Sequence, residues 1–319
     1  MQRYTVLFVV FGSILWGTDS LFRRPLSREL SPITIVFLEH CILSAVMLPV
    51  ILGSLPKIRE IRRGDWLSLV FIAAGGSVAA TSLFTYSIKV GNPSVTVLLQ
   101  KTQPLFALFL ARWFLRESPG RWFWHCLLPA AIGAYLVSTP DWSLGFARES
   151  YHAPSVLSAL GAASLWGSST VLGRYIVVRI PISVLTSLRF VISLPVLAAL
   201  YSFQPLTSRT LPSASTAVGA LIAMALLPGL LALILYYKGL QTTIASRAAV
   251  AELAFPITAV ITNWLVLKVH LASSQILGGS LLVGAVTVLT YLDAREKRIQ
   301  HPHSSPLEDR EAPANAGSL

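Results

Sequence analysis

The chain has 319 residues, of which 54% are apolar and only 12% charged, with mean hydropathy +0.67 and a formal net charge of +11. Soluble domains carry about 25% charged residues, so this balance excludes a water-soluble globular fold and implies a membrane protein. The basic residues sit at the ends of apolar runs and not in a compact cluster with interleaved aromatics, which argues against a nucleic-acid partner.

A hydrocarbon core about 30 Å thick takes about 20 apolar residues to cross. Ten such runs occur, near residues 4–22, 33–53, 66–88, 93–115, 121–139, 155–178, 182–203, 214–237, 243–267 and 273–292. They are called segments 1 to 10 below. Strands of a barrel would be half as long and alternating, so the expectation is an all-α membrane protein with ten transmembrane helices.

Segment 1 has no small-residue cleavage site after it and reads as a retained helix, not a signal peptide. It ends in Asp19, Arg23 and Arg24, which are expected to anchor it at the interface, the arginines snorkelling and Asp19 neutralising one of them. Segments 2 and 5 hold Cys41 and Cys126, read as small buried hydrophobes with no disulfide framework. Between segments 5 and 6 lies DWSLGFARESYHAP, and after segment 10 comes a charged stretch rich in Pro, Ser and Ala. The expected organisation is a five-helix unit over 1–140, a connecting loop over 141–154, a second five-helix unit over 155–292 and a disordered tail over 293–319.

The two units repeat each other. Leu15, Trp16, Gly17 and Arg24 recur as Leu165, Trp166, Gly167 and Arg174, and Leu38 as Leu188, all at an offset of 150. Tyr86 recurs as Tyr237, Ser94 as Ser246, Pro104 as Pro256 and Gly133 as Gly284, the offset drifting by one or two between segments as loop insertions produce. Because five is odd, the second unit enters the membrane from the opposite side, giving two inverted repeats, an architecture of many secondary transporters. With the N-terminus inside, sixteen Lys and Arg fall on the cytoplasmic side against seven on the other, which puts both termini in the cytoplasm of a multi-pass plasma (inner) membrane protein.

Polar residues within segments are the candidates for chemistry. Pro104 has no N–H for the carbonyl of Gln100, and Pro256 none for that of Glu252, so each proline predicts a kink that exposes backbone at mid-membrane. Such backbone is tolerated only against protein or a water-filled cavity. Thr96, Gln100 and Gln103 share one helical face, and Glu252, Pro256, Ala259 and Asn263 share another; a substrate fits between them. For Gln103 and Asn263 a second reading stands beside this one, hydrogen-bonded glue between helices. Buried charge is costly in a bilayer, so Glu39, Lys101, Arg189 and Glu252 each need a partner or a function. Glu39 and Arg189 occupy equivalent positions and are expected to pair. Lys101 and Glu252 either meet a charged substrate or each other, and Glu252 is the candidate for coupling to protons. Trp16, Trp166, Phe84, Tyr86, Tyr236 and Tyr237 offer an aromatic lining, although aromatics at helix ends are more often interface anchors. Gly76/Ala80, Ala130/Ala134 and Ser280/Gly284 have the spacing of close helix packing.

The LWG phrase in segments 1 and 6, the proline-centred segments 4 and 9, LRE at 115–117 and QILGGSLLVGAV at 275–286 together resemble the EamA-type half-repeats of the drug/metabolite transporter superfamily. The resemblance covers residues 1–292 and implies a ten-helix transporter with a cavity lined by segments 1, 3, 4, 6, 8 and 9. Where such half-repeats carry a glutamate after the fourth helix, as at Glu117, the second unit has His270 instead. No phosphate loop, HExxH, GxSxG or paired Cys/His set occurs, and no cofactor or metal is called for. The reading is a secondary transporter of a small organic metabolite, an amino acid or amphipathic compound, exported by analogy with the superfamily, with the bilayer, the substrate and protons as partners. A nucleotide-sugar or phosphorylated-metabolite exchanger is the alternative. A membrane-embedded lipid-modifying enzyme ranks below both, because His40, His125 and His270 lie on three different segments.

Overall fold

A computed structural model describes residues 5–114, 122–138, 153–177, 179–209, 211–212, 214–240, 251–252 and 254–300. Among these residues every regular element is helical. Six helices are long and apolar enough to cross a membrane: Val6–Glu29, Pro32–Gly53, Arg63–Val90, Ala153–Gly173, Ile182–Phe203 and Ser215–Tyr236. Trp124–Val137, Ala254–Leu265 and Ser273–Leu289 are apolar but shorter, and the fourth segment is in two pieces, Pro93–Gln100 and Gln103–Phe114. The LRE stretch with Glu117, the connecting loop over 141–152 and the tail beyond residue 300 lie outside the described residues. The last helix runs Ser273–Gln300, past the expected start of the tail at 293, because Ala, Arg, Glu, Lys and Gln in that stretch are good helix formers.

The halves pack by exchange. Segment 1 lies antiparallel to segment 8, with Gly12 against Ala232 and Tyr236 and Leu26 in one cluster with Leu221. Segment 6 lies antiparallel to segment 3 in the same manner, Gly161 against Leu83 and Leu69 in one cluster with Ile176. At the Leu69 end the buried Asp65 accepts from Arg179 Nε (3.0 Å) and Nη2 (2.6 Å), a bridge between halves. Segments 5 and 10 also run antiparallel and touch backbone to backbone: a Cβ on Gly133 would lie 2.7 Å from the Gly278 carbonyl oxygen, and one on Gly278 2.7 Å from that of Gly133. Ser280 and Gly284 do not make this contact, contrary to their spacing. Both are exposed, and Gly284 has nothing within 4 Å, because Gly278 and Leu282 occupy the inward face.

Segments 3 and 8 each widen into π-helical turns at matching places, Ile72–Ala79 and Ala225–Leu231. The sequence signals were Gly75-Gly76 and Pro228-Gly229, which loosen the helix without naming its form. Each wide turn faces the charged residue of the other half's second segment: a Cβ on Gly76 would lie 3.9 Å from Arg189 Nη2, and one on Gly229 3.8 Å from Glu39 Oε1.

Candidate functional site

The repeated LWG phrase marks where the halves interlock. A Cβ on Gly17 would lie 2.8 Å from the Phe255 carbonyl oxygen, 3.0 Å from Ala259 N and 2.7 Å from Thr258 Cβ. A Cβ on Gly167 would lie 2.9 Å from the Gln103 carbonyl oxygen, 3.0 Å from Ala107 N and 3.1 Å from Phe106 Cβ. Phe255, Thr258 and Ala259 are the repeat equivalents of Gln103, Phe106 and Ala107, an offset of 152 in each case. Thus the first helix of each half passes over the proline-broken helix of the other, at a distance only glycine permits.

Both broken helices reset at that crossing. In segment 4 the helix closes at Gln100 with tight bonds from Lys101 N to Leu98 O and Thr102 N to Leu99 O, both 3.0 Å, and restarts at Gln103 with Pro104 in its first turn. In segment 9 Phe255 N bonds Glu252 O at 3.1 Å, and the helix Ala254–Leu265 carries Pro256 in its first turn. Proline is tolerated there because first-turn N–H groups have no helical acceptor. Gln100, Lys101 and Glu252 therefore stand at the discontinuities.

Around these breaks lie aromatic rings and two opposite charges. Lys101 Nζ sits 4.6 Å from the centre of the Phe255 ring, a cation–π contact. Glu252 accepts a short hydrogen bond from the Tyr236 hydroxyl, and Tyr236 packs on Trp16 with ring centres 4.8 Å apart. No salt bridge joins Lys101 to Glu252 among the described residues. Gln100 Oε1 is buried and has no hydrogen-bond partner among the described residues. On the other side of the pseudo-symmetry Trp166 packs on Phe84 (5.3 Å) and donates from Nε1 to the Gly76 carbonyl in the wide turn of segment 3 (2.8 Å). Gln103 Nε2 donates to Thr170 Oγ1 at 3.3 Å. Trp16, Trp166, Phe84 and Tyr236 thus meet inside the bundle and do not anchor its rim, whereas Tyr86 is exposed.

Thr96 and Asn263 are wholly buried. Thr96 exchanges a 2.7 Å hydrogen bond with Ser87, which also bonds the backbone and hydroxyl of Ser155. Asn263 accepts from Ser20 Oγ (2.6 Å) and donates to Ser94 Oγ (3.1 Å), tying segments 1, 4 and 9 together. In this conformation both residues hold helices to one another, which for Asn263 is the glue reading raised from the sequence.

The arginines after the LWG phrase depart furthest from expectation. Arg23 does not reach an interface: it is 3% exposed. Its Nε and Nη2 grip Asp19 at 2.7 and 2.8 Å, Nη1 bonds Glu39 Oε2 at 3.1 Å and Thr85 Oγ1 at 3.0 Å, and Nη2 reaches Glu39 Oε1 at 3.3 Å. Glu39 is therefore the partner of Arg23 and not of Arg189, whose Nε donates to Ser77 Oγ at 2.9 Å. Sequence spacing missed this because Arg23 is one helical turn beyond Asp19 on a helix that continues to Glu29, not one that stops at residue 22. Arg24 bonds the carbonyls of Ile88 and Lys89 at the end of segment 3, and Lys89 returns a bond to the Leu30 carbonyl at the end of segment 1 (3.2 Å). Cations at helix C-termini are favoured by the unpaired carbonyls there.

Comparison with known proteins matches this architecture. The chain is 28% identical over 298 residues to a riboflavin transporter from Fusobacterium nucleatum, covering 90% of this chain and 97% of that one. It is 25% identical over 305 residues to an uncharacterized transporter from Bacillus subtilis, covering 94% and 98%. A solved structure with 18% sequence identity superposes with a TM-score of 0.62 over 93% of this chain and 99% of that one, a likeness of fold. The model of the EamA-like transporter family matches residues 3–139 and again 153–291. Matched twice across nearly its whole length, the chain belongs to the EamA-like transporter family of the drug/metabolite transporter superfamily, and it is a transporter, not an enzyme.

Proposed function

We propose that the protein carries an amphipathic organic metabolite with a planar aromatic part across the plasma membrane, by alternating access, through ten spans with both termini in the cytoplasm. The observation that carries this reading is the exchanged crossing. Gly17 on segment 9 and Gly167 on segment 4 are equivalent hinges, so rocking one half against the other interconverts two like arrangements and opens a central site to either side in turn. The substrate contacts in this reading are Trp16, Gln100, Lys101, Gln103, Trp166 and Glu252. Rings of Trp16, Phe255 and Trp166 suit a flat apolar body, Lys101 a carbonyl or acidic group, and the open acceptor of Gln100 an N–H or O–H. Riboflavin, the solute in the name of one relative, has this combination and is the first probe to use. Export is the direction we take from the superfamily resemblance, and Glu252 is the acid of the site proposed to exchange a proton during the cycle.

The test is counterflow in proteoliposomes loaded in turn with unlabelled riboflavin, aromatic amino acids and nucleotide sugars, with the labelled solute outside. Exchange of a flat amphipathic solute, weakened by Lys101→Met and by Trp16→Ala, supports the proposal. Exchange confined to nucleotide sugars would move the protein to the phosphorylated-metabolite reading. For Glu252, the expected result of Glu252→Gln is a greater loss of pH-gradient-driven accumulation than of exchange. Labelling residues 57–63 from the cytoplasmic side and 143–150 from outside checks the topology.

A further inference from the structure

The cluster at the end of segment 1 contains two carboxylates and one guanidinium. Asp19, Glu39 and Arg23 carry side-chain exposures of 16%, 7% and 4%. All four carboxylate oxygens are engaged: Asp19 by Arg23 Nε and Nη2, Glu39 by Arg23 Nη1 and Nη2. With both acids ionised this knot holds a net charge of −1 within the bundle, and an uncompensated charge at that depth is costly.

Other groups packed around the knot leave that charge uncancelled. From segment 3 the facing side chain is Thr85, a neutral hydroxyl that accepts from Arg23 and donates to the Thr81 carbonyl at 2.7 Å. From segment 8 the backbone turn at Gly229 comes close to Glu39, a Cβ there lying 3.8 Å from Glu39 Oε1. On segment 2 itself His40 is buried, holds the Val36 carbonyl through Nδ1 at 2.8 Å, sets its ring edgewise on Phe190, and leaves Nε2 without a partner among the described residues. From segment 7 Arg189 reaches Ser77 of segment 3 and makes no contact with Glu39. Arg24 and Lys89, the remaining cations nearby, are turned to backbone carbonyls at the helix ends.

We propose that the Asp19–Arg23–Glu39 knot is a proton-binding site, separate from Glu252, that takes up one proton when segment 1 is seated against segments 2 and 3. The proton adds to a carboxylate oxygen of one of the two acids, turning the knot from −1 to neutral. A metal cation fits poorly. Hard cations need six or more oxygen ligands, and here the carboxylate oxygens are already turned to a guanidinium that would repel a second cation. Lone-pair capacity remains on those oxygens for a proton on one of the two acids. Releasing segment 1 from segments 2 and 3, as alternating access requires, would open the knot to water and free the proton. The site would then couple proton movement to the rocking of segment 1, the same segment that crosses Pro256 through Gly17.

The proposal rests on the transport reading for its purpose, but proton binding is measurable without transport. The full chain and its Glu39→Gln and Asp19→Asn variants, purified in detergent, are unfolded by heat over a range of about pH 5 to 9. Each variant keeps one carboxylate for Arg23 and is neutral with no added proton. The wild-type midpoint is therefore expected to fall as rising pH strips the proton, while at least one variant stays flat through the same window. Parallel pH curves for all three proteins would overturn the proposal. In proteoliposomes with a pH gradient and labelled riboflavin as probe, Glu39→Gln is expected to retain exchange and lose accumulation. Full accumulation in Glu39→Gln alongside loss in Glu252→Gln would place coupling at Glu252 and overturn the role given to the knot. If the wild type exchanges no solute tried, the transport reading fails on that arm, and the pH-dependent unfolding still decides the proton site.

Discussion

The glycine crossings and the charged residues of segments 2 and 7 occupy equivalent places in the two halves, yet they behave oppositely. Gly17 and Gly167 make the same contacts with the same repeat-related partners, atom for atom within a few tenths of an ångström. Glu39 and Arg189 face equivalent wide turns but differ in sign: one is locked to Arg23, which also grips Asp19, and the other turns to Ser77. Backbone geometry is what an inverted repeat must conserve if its halves are to exchange conformations. Side-chain chemistry is where the halves are free to differ, and a solute or proton that is not itself two-fold symmetric needs that difference.

The largest effect is expected at the crossings. Gly17→Val and Gly167→Val each drive a branched side chain into a carbonyl oxygen less than 3 Å from where its Cβ would sit and a backbone nitrogen at 3.0 Å, and backbone of a packed helix cannot step aside as a side-chain tip does. Both variants should lose monodisperse folded protein on size-exclusion chromatography, and to the same degree. Tolerance at one site and not the other would show that the two crossings are not equivalent.

That equivalence was largely legible in the sequence. Leu-Trp-Gly and the prolines recur at nearly fixed offsets, so the repeat, the helical class and the breaks near Gln100 and Glu252 follow from spacing and from the missing proline N–H. What spacing does not contain is who touches whom between halves. Nothing in the string pairs Gly17 with Phe255, and matching Glu39 with Arg189 by offset proposed an ion pair between positions that instead face different turns. Arg23 was misplaced for a simpler reason. A charged run after an apolar one reads as the rim of the membrane, and only the fold shows that the helix goes on and folds those charges inward.

A sharper test of the asymmetric region is Arg23→Met. It removes the cation from two buried carboxylates and should cost about 3–5 kcal/mol of stability, the usual penalty for breaking a buried ion pair from one side. Adding Glu39→Gln to Arg23→Met should recover part of that loss, because one stranded charge is gone. A double variant no more stable than the single one would mean that the cost lies in packing and not in charge. Thermal unfolding in detergent at one fixed pH measures both.

Asn263→Ala should act more mildly. It deletes two hydrogen bonds that tie segment 9 to segments 1 and 4, but interhelical hydrogen bonds in membranes contribute only about 0.6–1.7 kcal/mol, since freed hydroxyls find carbonyls on their own helices. Ser20 can do so, one turn after the Trp16 carbonyl, whereas Ser94 stands at the start of its helix with no carbonyl a turn before it on that helix. A loss of about 1 kcal/mol with substrate affinity unchanged fits a residue that holds helices together. A large fall in affinity with stability intact would return Asn263 to the substrate site.

The smallest effect is expected at Gly284, and it probes where the symmetry stops. By offset Gly284 is the twin of Gly133, and the contact between Gly133 and Gly278 has as its repeat image a contact between Gly284 and Leu127. That image is not formed: a Cβ on Gly284 meets nothing within 4 Å, whereas one on Gly278 would lie 2.6 Å from Leu136 Cβ and 2.7 Å from the Gly133 carbonyl oxygen. Segments 5 and 10 stay packed towards their other end, where Cys126 shares a buried cluster with Leu289 and Ala130 one with Leu282 and Val286, and Gly284 simply lies on the outward face. Gly278→Ala must push the helices apart and should lower the unfolding midpoint. Gly284→Ala adds a methyl group to an exposed helix face and removes a flexible residue from a helix interior, a change worth about 0.5–1 kcal/mol in favour of the helix. Its midpoint should be unchanged or slightly higher. Equal destabilisation by the two substitutions would mean that Gly284, like Gly278, is pressed against a neighbouring helix and that the symmetry of the crossings extends to this pair as well.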